Sequence, residues 1–192
     1  AVLEAAGERE LLPSLQTALG MLLTSSDLPR AHMTLDRALM LARGARQNTT
    51  EVWTLMQICY AHLHAGALDE AQLRAEELAG IAQDRNNPDS LAYALTVRAR
   101  VKLARGDLPG ARSLFAEAVS LARTANEVWA RSIALCGLAS VTLAERDEVG
   151  ARAILEEALL FCHGVCYVGI DALCGALALL LPLIVVAVGL AM

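Results

Sequence analysis

Aromatic side chains are scarce: phenylalanine, tryptophan and tyrosine together make up 4% of the 192 residues. Sheets draw on aromatic and β-branched residues for their faces, so this scarcity argues against a strand-built protein. Proline numbers 5 and glycine 13, few enough breakers for an Ala/Leu-dominated chain to favour helix. Charged residues reach 19%, with a formal net charge of −5. That leaves no global basic field to hold nucleic acid, so no direct nucleic-acid contact is expected. The cysteines Cys59, Cys136, Cys162, Cys166 and Cys174 are odd in number and irregularly spaced, which argues against a disulfide framework and for a reducing, cytoplasmic setting. No basic stretch leads into an apolar run at the start, so no secretory signal is read there. The first residue is Ala1 rather than Met, as expected of a processed chain or a piece of a longer one. No GxxxxGK[ST], GxGxxG or GxSxG pattern occurs; no nucleotide site, nucleophile elbow, cofactor or enzymatic activity is expected.

What is abundant is apolar surface, at 56% of residues, which excludes a disordered chain. Its arrangement is periodic. Four segments align: Ser26–Leu39, Gly66–Leu78, Gly106–Val119 and Arg146–Leu159. Ala31, Ala71, Ala111 and Ala151 recur every 40 residues, and seven positions later come Ala38, Leu78, Ala118 and Ala158. Leu35, Ala75, Phe115 and Leu155 stand four positions after each first alanine. Steps of four and seven fall on one face of a helix, so these small residues form a packing seam between helices.

Each of these second helices of a pair, here helix B, has a readable start. Asp27, Asp107 and Asp147 occupy the N-cap, with Asp69 slightly displaced, because a carboxylate there accepts from free backbone N–H groups. Pro29 and Pro109 fall in the first turn, where a missing N–H costs nothing. Gly66 and Gly106 permit a tight reversal. A first helix, helix A, precedes each: Leu11–Thr24, Glu51–His64, Asp89–Arg105 and Glu127–Glu145, with Pro13 near one start. Polar stretches such as ARGARQNTTE and AQDRNNPDS read as longer loops between pairs. The expected organisation is residues 1–10 as the tail of a preceding unit, 11–165 as four helix pairs, and 166–192 as a partial fifth unit or an apolar C-terminal helix. A lone pair cannot bury its apolar stripe, but stacked pairs bury a continuous core.

This pattern resembles the tetratricopeptide repeat. That family sets small residues at its helix contacts, matched here by the helix B alanines and by Cys59, Ala99 and Ala139 on helix A, although Leu19 breaks the series. Its glycine is met by Gly66 and Gly106 but replaced by Ser26 and Arg146, and the usual closing proline gives way to Arg43, Gln83, Arg123 and His163. The family unit is about 34 residues, shorter than this one. The longer unit, and the phrasing of Leu103–Arg123, is similar to helical-repeat regions of MalT-like and LuxR-type bacterial transcription regulators. The resemblance implies an all-α fold, a right-handed superhelix of stacked antiparallel helix pairs. It implies a non-enzymatic scaffold for a protein or peptide, or a small-ligand sensor, within a signalling protein. It also implies a concave groove lined by helix A residues: Trp53, Gln57, Tyr60, His64, Tyr93, Thr96, Arg100 and Ser140.

The remaining motifs keep alternatives open. Ala172–Met192 carries no charge and is long enough to span a bilayer. It reads as a membrane anchor on the cytoplasmic face, as part of a fifth repeat, or as an altered end through which copies could self-associate. Cys162-His163 with Cys166 and Cys174 has metal-ligand chemistry but not paired ligand spacing, so packing is the expected role. His62 and His64 lie two apart and point in different directions, and the neighbours Asp69-Glu70, Glu76-Glu77 and Glu156-Glu157 do not face one another on a helix. Arg98, Arg100, Lys102 and Arg105, with Arg112 nearby, form the densest basic stretch.

Overall fold

The computed structural model describes residues 2–165, and the side chains of 11–159. The described residues form helices and turns without strands: α1 Val2–Leu23, α2 Leu28–Gly44, α3 Asn48–His64, α4 Leu68–Asp84, α5 Pro88–Ala104, α6 Leu108–Thr124, α7 Val128–Ala144 and α8 Glu148–Val165. Helices α2 to α7 each span 17 residues, and corresponding helices begin 40 positions apart. The fold is an all-α repeat solenoid of helix pairs.

The caps follow from the sequence. Asp107 accepts from the Gly110 N–H at 2.9 Å, Asp147 from Gly150 at 2.8 Å and Asp27 from Arg30 at 3.2 Å. Asn87 accepts from Ser90 at 3.1 Å, with Pro88 next in the chain. Asp69 is the exception: it lies inside α4 and pairs with Arg105, while Ala67 holds the cap position without a side-chain bond.

Three expectations about the connections are corrected. The segments read as longer loops are as tight as the others: 45–47, 85–87 and 125–127 match 65–67, 105–107 and 145–147. Each of these six turns holds one residue at positive φ, and these recur in step: Arg46, Asn86 and Asn126 before A helices, Gly66, Gly106 and Arg146 before B helices. Asparagine tolerates the left-handed region nearly as glycine does, so polar, loop-like composition serves a short reversal. Second, α1 runs unbroken from Val2 to Leu23, so residues 2–10 continue into the first helix pair without a turn. Third, Pro13 lies within α1 rather than at its start, fully buried.

The seam alanines sit where the repeat demands. Ala31, Ala38, Ala71, Ala111 and Ala118 are fully buried, and Ala151 and Ala158 nearly so. Side-chain size is matched across neighbouring units. Ala75 shares a core cluster with Val97 and Cys59, whereas the corresponding Phe115 fills the space over Gly137, where an added Cβ would meet its ring at 2.1 Å. Consecutive A helices also touch one another (α1 with α3, α3 with α5, α5 with α7), a closeness that consecutive B helices do not share. The row therefore bends toward its A side. Ion pairs bridge the spread B helices in the same register twice: Arg43 to Glu77, and Arg123 to Glu157 at 3.0 Å.

Helix α1 shows by contrast what stacking covers. Leu55, Leu95 and Leu135 occupy one register position on α3, α5 and α7 and are buried. Leu15 holds that position on α1 and is 64% exposed, flanked by Leu11 and Leu22 on the same stripe. Leu19, which broke the small-residue series, lies on this outer face too.

Candidate binding cleft

The A helices start on one side of the row, and the N-terminal parts of α3, α5 and α7 line a cleft of about 540 Å³. Trp53 of α3, Tyr93 of α5 and Trp129 of α7 line it together, with Val52 and Met56 supplying aliphatic wall. Trp53 and Tyr93 share a register position. Trp129 stands one helical turn before the corresponding Ile133, which keeps it on the same face. Three successive units thus each contribute one aromatic ring to a common surface.

The charged groups of the cleft are two carboxylates, Glu127 and Asp89, and the Arg85 guanidinium, and Asn48, Thr49, Asn87 and Ser90 add neutral polar groups. Glu127, at the N-cap of α7, accepts from the Ala130 N–H at 2.5 Å and from the Tyr93 hydroxyl at 3.3 Å. Burial, then the negative charge of Glu127, pushes the Tyr93 phenol well above its ordinary pKa, so it stays a neutral donor. Asp89 also lines the cleft, and its Oδ1 is buried without a hydrogen-bond partner. Arg85 is the one cation of the lining, and its guanidinium donates to Glu51 at 2.7 Å. Glu51 is buried between α2, α3 and α4. Burial alone would raise its carboxyl; bonds from Arg43 and Arg85 outweigh that and hold it below the usual carboxylate range.

Farther along the A helices the expected groove residues separate. Gln57 is almost buried, and Tyr60 is partly covered, with the Arg100 guanidinium 5.6 Å from its ring centre. The Tyr60 hydroxyl is enclosed without a partner, and burial raises its pKa. His64 and Ser140 are exposed, the Ser140 hydroxyl donating to the Cys136 carbonyl at 2.9 Å. Thr96 is fully buried and donates to the Ala92 carbonyl at 2.8 Å; it belongs to the packing between helices and not to a groove. Of the eight, then, the structure brings Trp53 and Tyr93 into the cleft and sets Tyr60 against Arg100. Trp129, Glu127, Asp89 and Met56 were not foreseen. The available signal was an aromatic residue in the first two turns of three consecutive A helices.

The other motifs resolve simply. The basic stretch is neutralised in part: Lys102 donates to Asp107 at 2.6 Å and Arg105 pairs with Asp69, nearby Arg112 pairs with Glu145 and donates to Thr142 at 3.1 Å, and the Nε groups of Arg98 and Arg100 are buried without a partner. Cys59 is buried in the seam, and burial pushes its thiol up to about 12. The His62 ring lies 4.5 Å from that of His32. Among the described residues no three His, Cys, Asp or Glu side chains are placed to share a metal ion. Cys162 and His163 fall near the end of α8, beyond the described side chains, and Cys166, Cys174 and Ala172–Met192 lie outside the described residues. Among the described residues no helix is long and apolar enough to cross a membrane. No protein-family profile and no curated protein sequence matches the chain.

Proposed function

We propose that this chain is a non-enzymatic repeat scaffold that holds a segment of another protein in the cleft between the N-terminal parts of α3, α5 and α7. One observation carries the reading: Trp53, Tyr93 and Trp129 come from three separate units yet line one open surface. Rings with a polar handle suit recognition because they supply contact area and directed bonds at little entropic cost. A stacked-helix frame also presents that surface ready-made, so little freedom is lost on binding. The resemblance of Leu103–Arg123 to bacterial regulator repeats favours a place within a signalling or transcription-regulatory protein. A second reading, a small-ligand sensor, draws on the cleft volume of about 540 Å³, which lies within the range of small-molecule pockets.

The test is selection from a random peptide library on the intact chain, with counter-selection on a Trp53→Ala/Trp129→Ala variant of unchanged circular dichroism. Peptides retained by the parent and lost by the variant support the scaffold reading. If every retained peptide also binds the variant, the cleft is not the site. Metabolites that raise the melting temperature of the parent alone would favour the sensor.

A further inference from the structure

The chemistry of the cleft lining narrows what its occupant must carry. Its charged residues are Asp89, Glu127 and Arg85. The Arg85 charge is spent on Glu51, itself outside the lining. Helix N-termini favour anions, yet here the anions are already built in: Glu127 caps α7, and Asp89 sits in the first turn of α5. Glu127 has its bonds from Tyr93 and Ala130, whereas Asp89 keeps one enclosed oxygen with no donor. Around these carboxylates stand three electron-rich rings. Aromatic faces attract cations, arginine and lysine above all, and the attraction strengthens when water is excluded.

We propose that the cleft recognises a cationic side chain, an arginine or lysine, presented by the bound segment. Its aliphatic stem lies along Val52 and Met56, and its charge is set among Trp53, Tyr93 and Trp129, beside the carboxylates of Asp89 and Glu127. Two independent features point the same way, the two carboxylates of the lining, with Arg85 paired to Glu51, and the shared aromatic lining. The inference rests on the scaffold reading above.

Four peptides of one library-derived sequence, differing only at a central position (arginine, lysine, norleucine, glutamate), are titrated by calorimetry into the intact chain. The arginine and lysine peptides are expected to bind at least about tenfold more tightly than norleucine, and glutamate weakest. Asp89→Asn keeps the side-chain shape, and it should weaken the arginine peptide about three- to tenfold while leaving norleucine unchanged. Glu127→Gln, which retains the capping acceptor, provides a second variant should Asp89→Asn unfold the chain. Equal affinity for arginine and norleucine, or tighter binding of glutamate, overturns the cation proposal while the scaffold reading stands. Absence of binding by all four, with no cleft-dependent peptide in the library, overturns both.

Discussion

Phe115 and Gly137 offer a quantitative test of the repeat register. Phe115 is fully buried on α6, and a Cβ at Gly137 would stand 2.1 Å from its ring. One unit earlier, the same two positions are Ala75 and Val97, also buried and in one core cluster with Cys59. The large-and-none pair of one interface thus replaces the small-and-medium pair of another. Phe115→Ala removes a buried ring and should cost about 3–5 kcal/mol. Gly137→Val overfills the site and should cost about 1–3 kcal/mol, after some offset from losing a helical glycine. The double variant rebuilds the Ala75–Val97 pair. It should be more stable than Phe115→Ala alone, with a favourable coupling of about 2 kcal/mol, within the range for touching residues. Urea denaturation followed by circular dichroism reads all four corners of the cycle. At roughly 2–4 °C per kcal/mol for a chain of this size, thermal melts give an independent check. Strictly additive costs would refute the register argument, because they would mean the two sites do not share one space.

Three further outcomes are expected. Leu55→Ala should cost about 2–5 kcal/mol, whereas Leu15→Ala, at the same register position on the uncovered helix face, should cost no more than about 0.5 kcal/mol in the monomer; equal losses in urea melts would contradict the stacking order. Arg146→Gly should stabilise the chain by about 0.5–1 kcal/mol, since Arg146 holds a φ of 66° where two other units place glycine; a destabilised variant in the same assay would show that its side chain matters more than its backbone. Burial, then the nearby charge of His32 and Arg74, lowers the His62 pKa, opposed by Glu70 and Asp36. The unfolded chain therefore takes up that proton first, so the His62 contribution is complete above about pH 6.5 and declines as the pH falls toward the lower folded value. His62→Gln should flatten stability between pH 7.5 and 5.5 relative to the parent, and an unchanged slope would remove the assignment.

Much of this architecture is written in the spacing of small residues. The alanine series from Ala31 to Ala158 locates the B helices because packing at close approach tolerates little else, and aspartates with nearby prolines mark their starts. The turns before the A helices were harder to read. Asn86 and Asn126 look like loop residues, and only their backbone conformation shows that they close a reversal as short as the glycine turns. Position counting was weakest on the A helices. Thr96 and Ser140 lie on plausible faces by register, yet one is sealed between helices and the other is exposed. A helix touched by both its pair partner and its next-but-one neighbours buries most of its circumference, so one stripe does not predict its environment. Trp129 was missed for a related reason: it sits one turn earlier than Trp53 and Tyr93, and only the stacking of three units brings it beside them. The match of Phe115 to Gly137 is likewise invisible until the interface is assembled.

The two tryptophans of the chain, Trp53 and Trp129, both line the cleft, so their indole N–H resonances report on it with little ambiguity. In a titration of 15N-tryptophan-labelled protein with the central-arginine peptide, both resonances should move along one common saturation curve, because one occupant contacts rings from separate repeats. Movement of a single indole, or of neither while the peptide binds, would contradict the account.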